Sequence, residues 1–128
     1  MLLVYICTKS RSVEGISANT ITMYAICFCF RIVPICLYEG YLPLDSSGDF
    51  FYRSSEFCSL VCSGIMLIYL KFKLKNTYDW QDDKVDWKIA TFVSLVLALL
   101  FHPSLDKIYW ADSAWTFALY LESIAMFP

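Results

Sequence analysis

The sequence predicts an all-α, multi-pass membrane bundle, and three observations carry that reading. Hydrophobic residues make up 59% of the 128-residue chain and charged ones only 17%, and the mean hydropathy of +0.55 is high for a water-soluble domain. Several apolar runs approach the roughly 20 residues that cross a bilayer, more than a soluble core helix needs. The two-residue alternation of barrel strands is missing, and backbone amides in hydrocarbon must be satisfied within their own segment, so the runs are read as helices.

The elements follow in order. Residues 1–8 are too short to span and read as the tail of a helix whose beginning is missing. The runs at 20–37, 57–70 and 87–101 are the most complete, the last two reaching full length with flanking aromatics and snorkelling lysines. A fifth run, 112–128, continues to the last residue. The chain therefore reads as a single transmembrane domain with both ends cut, holding three to four full spans. Its first residues are no signal peptide, because Lys9 and Arg11 follow the apolar stretch instead of preceding it.

Orientation comes from Lys and Arg. Lys9, Arg11, Lys71, Lys73, Lys75, Lys84 and Lys88 fall on one side, whereas loop 38–56 carries only Arg53 and loop 102–111 only Lys107. The basic side is expected to face the cytosol, and Glu39, Asp45, Asp49, Glu56 and Asp106 a lumen or the exterior. Trp80, Trp87 and Trp110 fit aromatic belts at the two interfaces. The net charge of -2 and the lack of a basic stripe exclude nucleic acid as a partner. Six cysteines lie in or beside apolar runs and read as small buried hydrophobes, with no zinc-ligand spacing. No phosphate-binding glycine loop, nucleophile elbow or HExxH occurs, so an enzyme is not expected, and no cofactor is implied.

Two charges stand where lipid should be. Arg31 lies in CFCFRIVPIC, six residues before Leu37 and so about 9 Å inside its helix. One reading has its side chain snorkel to the headgroups. The sharper reading is an anion site, because a guanidinium presents two parallel donors to a carboxylate. Pro34, one turn on, would free the Phe30 carbonyl. In the last run, Asp112, Trp115, Leu119 and Glu122 share one helix face at 100° per residue. Glu122, about 15 Å below Asp112, either finds a partner or carries a proton.

KSRSVEGIS at 9–17, IYLKFKLKNTYD at 68–79 and WTFALYLESIAMFP at 115–128 resemble the ER lumen protein-retaining receptors, the KDEL receptor family. The resemblance covers 9–128. HPS at 102–104 and the long acidic loop look more like the receptor-like branch of plants and protists, of which the chain reads as a truncated member. The resemblance implies seven helices in the PQ-loop and SWEET-like arrangement, and binding of C-terminal KDEL- or HDEL-type tetrapeptides in the Golgi for return to the ER. It implies residence in the ER and cis-Golgi membranes, with the cytosolic basic loops as candidate contacts for coat proteins. By the same resemblance Arg31 grips the peptide's terminal carboxylate, Asp112 and Trp115 meet its basic first residue, and Glu122 belongs to a pH-responsive network. Pro34 stands where the family has an aspartate, Ile32 where it has a tyrosine, and Asp112 where it has a glutamate. Loss of the aspartate removes half of a charge-assisted pair, about 1.5 to 3 kcal/mol. The alternatives are a PQ-loop small-solute transporter, which would rely on neutral polar groups rather than Arg31, and an inactive fragment.

Overall fold

A computed structural model describes Tyr5, Lys9 and residues 17–37, 49–73, 85–103 and 108–126. Four α-helices make up the ordered elements among the described residues: α1, Ala18–Leu37; α2, Asp49–Ile68, continued by a π-helical turn over Tyr69–Lys73; α3, Trp87–Leu100; and α4, Tyr109–Ala125. Of the expected short helix at 1–8, all but Tyr5 lies outside the described residues.

Two boundaries differ from expectation, each for a physical reason. The second span starts at Asp49, so Arg53 and Glu56 belong to a helix and not to a loop. Asp49 sits in the first turn, where a carboxylate suits the positive end of the helix dipole, and Phe50, Phe51 and Tyr52 supply aromatics suited to a membrane interface. The last helix begins at Tyr109, three residues before Asp112, after an extended Ile108. At the start of α3 the Asp86 side chain caps by accepting from the Lys88 backbone N–H at 2.9 Å. Pro34 does not end α1, which continues to Leu37.

The helices pack in the order α2, α1, α4, α3, with a lighter contact between α1 and α3. The core lies where α1, α3 and α4 meet and consists of Met23, Cys27, Ala90, Ala98, Phe117, Ala118, Leu121 and Ala125. Small residues build this contact. Ala90, Ser94 and Ala98 recur every fourth residue along the buried stripe of α3, and Ala111, Ala118 and Ala125 every seventh along α4. Helices immersed in lipid gain nothing from hydrophobic association, so close backbone approach through small residues replaces it. Cys27 Sγ donates to the Ala118 carbonyl at 3.2 Å, and Asn19 Nδ2 donates to the Val85 carbonyl at 2.9 Å, tying the starts of α1 and α3.

The outer faces are apolar. Phe57, Val61, Ile65, Ile68 and Phe72 are exposed on α2, and Ile89, Phe92, Leu99 and Leu100 on α3. Such area is incompatible with water and suited to hydrocarbon, and both Ala18–Leu37 and Asp49–Phe72 are long and apolar enough to cross a membrane. Cys29, Cys36 and Cys58 lie exposed on these faces, contrary to the expectation of burial. A thiol is weakly polar, so a lipid-facing position satisfies the same apolar pattern that buries Cys27. Cys7 lies outside the described residues.

Overpacking distinguishes the two faces of α3. Ala98→Leu is expected to lower stability by about 1 to 3 kcal/mol, and Leu99→Ala on the lipid side by no more than about 0.5 kcal/mol. Thermal unfolding midpoints of the two variants in detergent check this.

Candidate functional site

Met23, Cys27, Arg31, Pro34 and Ile35 follow one another at helical spacing along α1, and the four other than Arg31 are buried. Arg31 is therefore placed by register on the inward stripe, one turn beyond Cys27. Its guanidinium does not snorkel. Nη1 donates to Glu122 Oε2 of α4 at 2.7 Å, and Nη2 donates to Glu56 Oε1 of α2. The side chains are 15% exposed for Arg31, 12% for Glu56 and 27% for Glu122, so the cluster is largely shielded.

Side-chain direction explains how these depths match. Cβ atoms lean toward the N-terminus of their own helix. Leu37 and Asp49 lie at one end of the bundle by connectivity, so Arg31 on α1 leans away from that end while Glu56 on α2 and Glu122 on α4 lean toward it. Arg31 is about 9 Å and Glu56 about 10 Å from that end of their helices, whereas Glu122 is about 20 Å from the start of α4. The upward lean of the glutamate and the downward lean of the arginine close the gap.

Aromatic rings frame the cation. The guanidinium carbon lies 5.6 Å from the Phe28 ring centroid and 5.9 Å from that of Trp115, within cation–π range. Phe30 packs edge-on against Phe117 with centroids 4.8 Å apart, holding α1 against α4 beside the cluster. Trp115 also packs against the small apolar cluster of Ile35 and Ala111.

Of the residues read from the sequence, the fold thus brings Arg31, Trp115 and Glu122 together. Asp112 lies in the first turn of α4 and is 1% exposed, not open to solvent at a mouth. The shared seam is narrower than the helical wheel implied, because Leu119 turns outward and is 42% exposed. Glu56 was missed. Counted with the acidic loop, it carries its own signal once the helix is extended back: Asp49, Arg53, Glu56, Leu60 and Ser63 recur every three or four residues, and none is among the fully exposed positions.

A helical bundle with an apolar exterior and a shielded arginine between two carboxylates defines a multi-pass membrane protein with an internal ion cluster. A sequence model of the family described as ER lumen protein retaining receptor matches residues 12–128. The chain is 31% identical over 121 residues to ER lumen protein-retaining receptor erd-2.1 of Caenorhabditis elegans, covering 94% of this chain and 51% of that protein. It is 34% identical over 123 residues to ER lumen protein-retaining receptor 2 of Homo sapiens, with the same two coverages. The chain belongs to the ER lumen protein retaining receptor family and spans about half the length of the curated relatives it matches.

Removing one member of a shielded ion cluster strands the others. Arg31→Met is expected to destabilise the fold by about 3 to 5 kcal/mol, and adding Glu56→Gln and Glu122→Gln to recover most of that loss. Equilibrium unfolding of the single and triple variants in mixed micelles measures the difference.

Proposed function

We propose that this chain is a retrieval-signal receptor of the ER and cis-Golgi membranes, or the part of one that holds the terminal-carboxylate anchor. Its ligand is the C-terminal tetrapeptide, of KDEL or HDEL type, of a lumenal ER protein. The end of the bundle bearing Leu37 and Asp49 faces the lumen, and the basic segments with Lys9, Arg11 and Lys71 to Lys88 face the cytosol, where they meet coat proteins. The action is binding and release, without catalysis.

One observation carries this reading: a shielded guanidinium, fixed between three helices by carboxylates and flanked by Trp115, is shaped to take another carboxylate. In this role Arg31 binds the peptide's terminal carboxylate and Trp115 lies beside it. Asp112 meets the basic first residue of the signal, which requires the first turn of α4 to part from its neighbours, since Asp112 is buried. Glu122 is the counter-ion that holds Nη1 of Arg31 from α4. The groups facing Arg31 are Glu56 from α2, Glu122 from α4 and Cys27 from its own helix.

A peptide ending in Lys-Asp-Glu-Leu is expected to bind the full-length chain, and its C-terminal amide to bind roughly a hundredfold more weakly, as does the free acid to Arg31→Ala. Isothermal titration in detergent or nanodiscs reads this, and equal binding of acid and amide removes Arg31 as the anchor.

A further inference from the structure

The two carboxylates on Arg31 do not hold it in the same way. A guanidinium offers a side-on fork formed by Nε–H and the nearer Nη2–H, and a carboxylate seated there with both oxygens makes two parallel bonds. Glu56 takes only one prong. Its Oε1 accepts from Nη2, while its Oε2 and the Arg31 Nε are both buried without a hydrogen-bond partner among the described residues. Glu122 sits elsewhere, on Nη1 at 2.7 Å, outside that fork. The fork is therefore half-occupied by a carboxylate of the protein itself, and one buried donor and one buried acceptor are left over.

We propose that Glu56 is an internal stand-in for the ligand's terminal carboxylate, holding the Nε–Nη2 fork of Arg31 until an incoming carboxylate displaces it, and so setting the affinity for that ligand. This rests on the reading of Arg31 as the anchor for a peptide C-terminus. The incoming group replaces a one-pronged bond with a two-pronged one and satisfies Nε, and Glu122 remains on Nη1 throughout. Glu56 is released toward the near end of α2, about 10 Å away along the helix. No net charge enters the fork, because one carboxylate leaves as another arrives. The chemistry required of the ligand is a carboxylate free to present both oxygens; an amide, with one acceptor and two donors, cannot replace it.

The test uses the full-length chain in nanodiscs and two probes, a peptide ending in Lys-Asp-Glu-Leu and its C-terminal amide. Glu56→Gln keeps the side-chain size and removes the competing charge, and is expected to raise affinity for the free acid about tenfold or more. Affinity for the amide is expected to change little. Asp49→Asn, on the same helix as Glu56 but outside the ion cluster, provides the control for simple loss of negative charge and is expected to give no comparable gain. Gel filtration of each purified variant separates loss of fold from loss of binding, and Glu56→Ala serves as the second variant if Glu56→Gln fails to purify. Unchanged or weaker acid binding by a folded Glu56 variant overturns the inference while leaving the anchor reading intact. An equal gain from Asp49→Asn also overturns it, since simple relief of negative charge would then suffice. No acid-selective binding by either wild type or variants overturns the anchor reading and the inference with it.

Discussion

A guanidinium inside a bilayer must be neutralised by groups the protein itself brings to it, and this constraint organises the bundle. Arg31 is about 9 Å from the end of α1, and its charge is met by Glu56 and Glu122 from two other helices. Neither could move far without stranding a charge in a medium that solvates it poorly. The cluster therefore sets the register of α2 and α4 on α1. It matters most for α2, whose main packing among the described elements is against α1 and which presents most of its large side chains to lipid. Apolar area cannot hold α2 in place when the surroundings are equally apolar, so the ion pair and the contact of its inner stripe must do so.

The bundle has two chemically distinct halves that meet at Cys27. On one side lies a dry contact of alanines, Met23, Leu121 and Phe117, with the Cys27 thiol bonded to the Ala118 carbonyl at 3.2 Å. One turn further along α1 come Arg31, the two glutamates, Trp115 and the Phe28 ring. Tight packing of small residues tolerates little rearrangement, whereas ionic groups on long side chains exchange partners by rotamer changes alone. Such a division separates rigid from adaptable parts: the alanine layer fixes the backbone positions from which Arg31 and its acids project, and the ionic side-chain tips are the part free to change partners.

Much of this was legible in the sequence, for identifiable reasons. Arg31 and Glu122 stand out because a charge in an apolar run is costly and must have a partner, and Arg31 and Glu122 indeed pair with each other. Trp115 was found because helical spacing places it on the same side of the chain as Glu122. Glu56 is hard to find in the sequence because Arg53, Ser54, Ser55 and Glu56 form a polar run that hydropathy places outside the membrane. The backbone disregards that average, since Asp49 opens the helix and Arg53 and Glu56 fall in helical phase on its less exposed side. The wheel likewise misplaced Leu119, because it assumed a face centred on the acids when α4 is centred on Ala111, Ala118 and Ala125. Small residues on a membrane helix mark the packed face better than polar ones do.

A site that enters binding already ion-paired works by exchange rather than capture. An unpaired Arg31 would attract any anion strongly but would cost the resting fold several kcal/mol of desolvation. With Glu56 in place the resting state is satisfied apart from one donor and one acceptor, and in the exchange proposed above the net gain on binding is only the difference between two carboxylates on one fork. Differences of this kind are small and depend on geometry, so selectivity falls on how the ligand presents its oxygens and not on its charge. Pro34 fits the same logic. It supplies no carboxylate of its own, and by lacking an N–H it leaves the Phe30 carbonyl without its usual helical donor one turn from Arg31. Both anionic partners of Arg31 therefore come from across helix interfaces, Glu122 on α4 and Glu56 on α2, and a rotamer change can withdraw Glu56 without disturbing α1.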